Sequence, residues 1–361
     1  MAISHNGQNE ITHAFDAKVY DSCLVHKTAA YRLEITAQEE GQLLQVKSYT
    51  PDINEGFCKA GSFIQHLDPY FLESLPYSRS PEPVISCIIL LTFNCHYVQN
   101  FLIPSIIAYT TIPYEIIVVY NGIATDLTPF KNFNLIHSET GCVSKAYNKG
   151  VASANGRYIS IFHDDCLVTS SGWHEPMIEA IDNGAFATST EMVYHPHFSL
   201  EYLKGTPLLM TKANYEFIGG HDEFYFAGIE DLDFSYRIQL RGKFLKKVST
   251  PYRHFRGMST VILLSDEPAE MRALFGYCLV PENAIEKWKT RCMGSSGTQE
   301  MMQAVNCENL HYFKVKRSMS AHSDKLTNVR SVSIEQYPAL SNIRDTYKEW
   351  LSKKFSACEI L

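Results

Sequence analysis

Three clusters of side chains in this 361-residue chain have types and spacing that could do chemistry. The first is His163-Asp164-Asp165, which closes the apolar run RYISIFHDDC. A carboxylate at such a strand end can hold a divalent cation against a diphosphate, because magnesium and manganese prefer hard oxygen donors. Aspartate is also common in strand-end turns for conformational reasons alone, so the turn by itself decides nothing. The second cluster is Glu230, Asp231 and Asp233 in GGHDEFYFAGIEDLDFSYRIQLRG, at the start of a helix whose Phe234 and Ile238 lie one turn apart. Acidic residues there complement the helix dipole and cap free N–H groups. The same placement suits a general base beside a reacting hydroxyl, with a second carboxylate that shapes its pKa or binds sugar. The third is His254 in YRHFRG, although a lone histidine is more often structural than a ligand. His195 and His197, in YHPHF, are two apart and could face the same way on an extended segment; we read them as an acceptor-side loop rather than a metal pair. No Ser, Cys or Thr stands in a nucleophile elbow, so covalent hydrolase chemistry has no support.

These clusters need elements to hold them. VISCIILLTFN, from Val84, is a continuous apolar run of the kind found in strands covered on both faces. A helical stretch follows, then YEIIVVYNG (Tyr114–Gly122), a second buried strand. NFNLIHS is a third and weaker strand. GCVSKAYNKGVASANG (Gly141–Gly156) reads as a helix with small residues that permit close packing, and RYISIFHDDC (Arg157–Cys166) as a fourth strand running into the acidic turn. Strand, helix, strand, strand, helix, strand is an α/β pattern, in which ligands bind beyond the carboxyl ends of the strands. No GxGxxG follows the first strand, which disfavours a dinucleotide site. The portion from 184 to 260 adds an apolar strand (Thr206–Thr211), a glycine turn and the acidic helix start.

Flanking regions complete the organisation. Within residues 1–80, Tyr31–Thr36 and Gln42–Tyr49 surround AQEEG as a hairpin. SRSPEPV (Ser78–Val84) has the proline density of a linker. Beyond 260, EPAEMRALFGY and ENAIEKWKTRC read as helices with acidic first turns, GSSGTQ (Gly294–Gln299) as a flexible joint, and Ser333–Phe355 as further helix around Pro338. The expected units are an accessory region 1–80, a catalytic domain 81–260 and a mainly helical region 261–361.

Composition is that of a globular protein, 45% hydrophobic and 20% charged. A formal charge of −7 and the lack of a concentrated Lys/Arg segment argue against nucleic acid as a partner. Lys243–Lys247 reads as a solvated face beside an acidic site. The ten cysteines form no CxxC pair, so a zinc ribbon is disfavoured and a reduced, cytoplasmic setting expected. The start MAISHNGQNE has neither the basic opening nor the apolar stretch of a signal peptide. Phe101–Tyr120 is broken by Pro104, Pro113 and Glu115, which argues against a transmembrane segment and leaves peripheral membrane contact open.

Taken in order, these pieces resemble a family 2 glycosyltransferase of the nucleotide-sugar-binding GT-A fold, from about Val84 to Thr260. VISCIILLTFN and YEIIVVYNG resemble the family's first two strands. KAYNKGVASANGRYISIFHDD resembles the helix and strand leading to its metal-binding DxD, and MTKANYEFIGGHDEFYFAGIEDLDFSYRIQLRG its acceptor-side block. The resemblance implies an α/β, GT-A-like mixed and mainly parallel sheet with flanking helices, beside a small β-containing N-terminal region and a helical C-terminal region. It implies a divalent metal cofactor, Mn2+ or Mg2+, held by Asp165 in the last place of the DxD, with His163 in the first place and His254 near the metal or diphosphate. Asp231 matches the family's catalytic base, with Glu230 its neighbour. The implied donor-binding positions are Thr92, Asn94, Tyr120, Asn121, Lys145, Asn148 and Asp164.

His163 and Tyr120 depart from the family pattern. His163 would ligate manganese through a ring nitrogen or face the diphosphate instead. Tyr120 replaces an Asp that typically contacts base or ribose, and a tyrosine there would stack on a base. The implied partners are a nucleotide-sugar donor, UDP first, and a glycan, lipid-linked or protein acceptor, in an inverting reaction. Two other readings stay open. A sugar nucleotidyltransferase normally needs a glycine-rich basic phosphate loop, which LTFNCHYVQN lacks. A non-catalytic sugar-nucleotide-binding module has the retained IEDLD block against it.

Overall fold

A computed structural model describes residues 10–11, 32–37, 44–49, 64–66, 77–122, 127–255, 257–259, 262, 296–320 and 338–356. The first apolar run forms β1 (Ile85–Leu91), with every residue buried. Then follow α1 (Ile103–Tyr109), β2 (Tyr114–Tyr120), β3 (Asn134–His137), α2 (Val143–Ser153) and β4 (Tyr158–His163). The chain continues through β5 (Cys166–Val168), α3 (Glu175–Asp182), β6 (Ala187–Ser189), β7 (Met192–His195), β8 (Leu200–Leu203) and β9 (Leu208–Thr211). Next come α4 (Lys212–Ile218), α5 (Glu230–Leu240), β10 (Leu245–Lys247) and β11 (Tyr252–His254). Two long helices follow, α6 (Ser296–Ser320) and α7 (Pro338–Ser356).

Seven strands make the central sheet in the order β10-β6-β9-β4-β1-β2-β3. Only β9 runs against its neighbours, β4 and β6; the other pairings are parallel. The expected mixed, mainly parallel sheet is therefore present, and the continuous apolar character of β1 and β2 reflects burial on both faces. Helix α2 lies close on this sheet because Gly150 has no side chain: a Cβ there would stand 2.5 Å from Ile88 Cγ2. Glu115 interrupts the apolar pattern of β2 and is fully buried, but Ser86 Oγ (2.7 Å), the Asn155 N–H (2.6 Å) and Arg79 Nη2 (2.8 Å) satisfy it. A buried carboxylate held this way ties the amino ends of β1, β2 and β4 together.

The hairpin expected near the N-terminus is formed by Arg32–Ala37 and Leu44–Tyr49, flanked by Glu10–Ile11 and Ile64–His66 in a separate four-stranded antiparallel sheet. The two helices expected between 267 and 292 lie outside the described residues. GSSGTQ is not a joint along its whole length, since α6 already begins at Ser296. Pro338 opens α7, where its missing N–H costs no helical hydrogen bond. Cys87, Cys142, Cys166 and Cys307 form no disulfide among the described residues. No helix among them is long and apolar enough to cross a membrane.

Candidate active site

Because β1, β2 and β4 are parallel, their carboxyl ends open on one side, bringing Thr92–Asn94, Asn121 and His163–Asp165 together. Asp164 turns inward there. Its Oδ2 accepts the backbone N–H groups of Thr92 (2.9 Å), Phe93 (2.8 Å) and Asn94 (3.1 Å), and its Oδ1 accepts Asn94 Nδ2 and Ser259 Oγ, both at 3.0 Å. Charge-assisted bonds of this sort staple the loop after β1 to the turn after β4. Thr92 Oγ1 donates to Asn121 Oδ1 at 2.7 Å, joining the end of β2 to the same unit. Tyr120 is buried and meets His137 edge-on, with ring centroids 5.8 Å apart.

The two candidates on α2 are engaged elsewhere. Lys145 pairs with Glu139 at 2.8 Å. Asn148 uses both ends of its amide on the loop after α4: Oδ1 accepts the His221 N–H (2.9 Å), and Nδ2 donates to the His221 carbonyl (3.0 Å) and Glu223 Oε1 (2.8 Å).

Asp165 points the other way from Asp164. The β5–β11 ribbon sets His254 opposite Cys166, so the His254 ring faces the turn, with Nε2 3.3 Å from Asp165 Oδ1. One ligand atom from each of His163, Asp165 and His254 lies within 4.8 Å of the others, and among the described residues this is the one such group. Burial pushes Asp165 up, but the His254 and His163 rings outweigh it and hold the carboxyl below its ordinary range. Burial, then His254, push His163 down. A carboxylate beside two imidazole rings is a donor set that can hold a divalent cation. One oxygen and two nitrogens suit manganese better than magnesium, which favours oxygen ligands throughout. His195 is not part of this group: it ends β7, and Pro196–Phe198 then turn as a 3-10 helix instead of continuing extended.

The acidic cluster opens α5 under strain. Ile229, just before Glu230, has φ of 71°, a left-handed conformation that a β-branched residue rarely adopts. Asn309 of α6 braces this entry by donating to the carbonyls of Ala227 (2.7 Å) and Gly228 (3.1 Å). Glu230 is buried, and burial followed by the adjacent Asp231 carboxylate pushes it up to about 8. Two carboxyls this close do not both ionise readily in a poorly solvated place. Asp233 has a different task. Arg237 Nε (2.8 Å) and Lys316 Nζ (2.7 Å) hold it, and Lys316 also reaches Asp222 Oδ2 at 2.6 Å.

Several residues of this centre had not been singled out. Tyr147 of α2 shares a 2.6 Å hydrogen bond with His163 Nε2. His221 stacks between Tyr147 and Phe234, with both centroid distances 4.2 Å. Gly205 leaves the room they need: a Cβ there would lie 2.5 Å from Asp231 Oδ1 and 2.6 Å from Tyr147 Oη. Asp231 raises the pKa of Lys204 against the opposing effect of burial, the larger single influence. KAYNKG and GGHDEF carry helix and turn signals only, and Lys316 lies in a helix far along the chain, so no local pattern marks them.

Residues 87–228 match the sequence model of glycosyl transferase family 2. The chain carries a family 2 glycosyl transferase domain. It is accordingly a glycosyltransferase. The match takes in the turn at 163–165 and stops short of Glu230 and Asp231. No curated protein sequence matches the chain. Solved structures similar to this glycosyltransferase include S. aureus TarS 1–349 in complex with UDP, 13% identical with a TM-score of 0.37 over 73% of this chain and 91% of that one. GalNAc-T7 with UDP, GalNAc and Mn2+ is 12% identical with a TM-score of 0.41, over 77% and 57%. The mannosyltransferase PcManGT from Pyrobaculum calidifontis, in complex with GDP-Man and Mn2+, is 12% identical with a TM-score of 0.37, over 79% and 90%. No residue role is carried over from them.

Proposed function

We propose that this glycosyltransferase moves a sugar from a nucleotide diphosphate, UDP first, to an acceptor hydroxyl with inversion at the anomeric carbon. One observation carries the reading: Asp231 Oδ1 and Tyr147 Oη both pack against Gly205, while Tyr147 is hydrogen-bonded to His163 of the candidate metal group. Tyr147 thus links the proposed base to the proposed cation site.

Asp231 is the general base that takes the acceptor proton, and Glu230, uncharged below about pH 8, is its buried neighbour. Asp165, His163 and His254 hold the divalent metal, Mn2+ in preference to Mg2+. When bound, that ion supplies positive charge to the departing diphosphate. Thr92, Asn94, Tyr120 and Asn121 form the donor floor, shaped by Asp164. Lys145 and Asn148 serve the donor through the loops they hold at Glu139 and Glu223. Residues 81–260 are the transferase unit, and the acceptor is a glycan, a lipid-linked carrier or a protein. The thiols fit a reduced, cytoplasmic setting.

Thermal stability against a panel of nucleoside diphosphates, each with Mn2+, Mg2+ or chelator, tests the donor reading. A ligand that binds only the native state raises its melting temperature by mass action. A shift with one nucleotide that chelator abolishes is the expected result. No shift with any nucleotide would reject the metal-bridged donor site.

A further inference from the structure

The stretch from Phe234 to Ser265 holds Arg237, Arg241, Lys243, Lys246, Lys247, Arg253 and Arg256 and no acidic residue, in a chain of net charge −7. Four of these cations lie between Leu240 and Lys247. Register places them away from the site: Lys246 pairs with Thr188, Thr188 with Leu209 and Leu209 with Ser160. Lys246 is thus level with Ser160, midway along β4 and three strands over, and Lys243 and Phe244 lie nearer the amino end of the sheet. The basic segment therefore runs from mid-sheet at Lys246 and Lys247 back towards the amino end at Lys243, away from His163–Asp165.

Large apolar side chains stand exposed in the same place. Among the described residues five large hydrophobics are exposed, and three of them, Phe217, Leu240 and Phe244, are here. Phe186 links them: its N–H donates to the Phe244 carbonyl at 3.0 Å, and its ring lies 6.0 Å from that of Phe217. Arg241 covers the Phe217 ring at 4.9 Å. The acids at this end have cationic partners, Glu216 4.0 Å from Lys212 and Asp182 3.2 Å from Arg157, so the face stays positive. Lysines on β10 alone would be explained by protection of a sheet edge, since β10 ends the sheet. Edge protection does not account for two exposed phenylalanines and a leucine beside them.

We propose that this amino-end face docks on an anionic lipid surface. Lys243 and Arg241 meet the headgroups, with Lys246 and Lys247 flanking them from the two faces of the edge strand β10, while Phe217, Leu240 and Phe244 enter the interface. Lipid is favoured over nucleic acid because the apolar side chains have no bases to meet on a duplex backbone, and over a second copy because a symmetric contact would oppose like charges. The site at the carboxyl ends of the strands would then face away from the membrane.

Co-sedimentation of the full chain with phosphatidylcholine vesicles, with and without about 30% phosphatidylserine, tests this. The wild type should bind the anionic vesicles alone, and raising salt from about 0.1 M to about 1 M should release it. Lys243→Glu/Lys246→Glu/Lys247→Glu should weaken binding by about 10²-fold, at about five-fold per cation. Phe217→Ser/Phe244→Ser should weaken it by about ten-fold and leave the salt dependence unchanged. Both variants lie on the surface and should keep the wild-type melting temperature. Equal binding to neutral vesicles, or wild-type binding by the charge variant, overturns the proposal. Tighter binding to duplex DNA than to vesicles reassigns the face to nucleic acid and overturns it too. So does a wild-type dimer in sedimentation velocity that the phenylalanine variant splits. None of these readouts depends on sugar transfer.

Discussion

The two sides of the candidate active site are held by different forces. At the sheet end, Asp164 accepts three backbone amides and two side-chain donors, and every partner except Ser259 comes from the loop after β1. Neighbouring strands bring these groups together, so the order of that side follows from strand pairing. The start of α5 is held instead by a helix far away in sequence. Lys316 and Tyr312 reach into the loop after α4 and the first turn of α5, and Asn309 braces the carbonyls before Glu230. Buried ions make this second side a stiff but costly construction, because each charge relies on its partners once water is gone. The turn at 163–165 thus rests on the sheet, whereas the proposed base depends on α6 being in place.

This contrast can be broken by substitution. Asp231→Asn should lower turnover by about 10²–10⁴-fold with donor binding unchanged, the range expected for loss of a general base; a wild-type rate would remove Asp231 from the mechanism. Lys316→Met should destabilise the chain by about 3–5 kcal/mol in urea denaturation, because Asp222 and Asp233 would lose a buried partner. A far smaller loss would mean that Arg237 and Tyr312 suffice to hold the α5 entry.

Weaker effects sharpen the comparison. The folded chain keeps the Glu230 proton up to about pH 8, whereas the unfolded chain releases it near its ordinary value of 4.5. This contribution to stability is therefore complete below about 4.5 and fades as pH rises towards 8. With chelator present, Glu230→Gln should flatten the fall in melting temperature across that window; an unchanged slope would place the carboxyl in a better solvated position. Lys145→Met should have the smallest effect. Its pair with Glu139 is partly exposed and worth about 0–1 kcal/mol, so the donor KM should stay within about two-fold. A large rise would mean that Lys145 contacts the donor directly.

Sheet and turn were open to reading because their signals are local. An apolar run such as ISCIILL declares a strand buried on both faces, and a turn closing the next such run must lie at a carboxyl end. His163, Asp165 and His254 lie together as the family resemblance implied, whereas the helix starting at Ser296 runs into a segment that reads as a joint. GSSGTQ has the composition of a loop, and nothing local shows that its second half joins a helix packed on the core.

What the amino-acid order alone determined is therefore the α/β architecture, the strand ends and the acidic start of α5, all written in runs of adjacent residues. Tertiary structure decided the rest. It turned Asp164 inward and Asp165 outward from one turn, packed Asp231 and Tyr147 against Gly205, and gave Asp233 to Lys316. Those outcomes depend on groups separated by tens of residues, whose contacts arise only after the sheet has formed and the C-terminal helix has packed against α5.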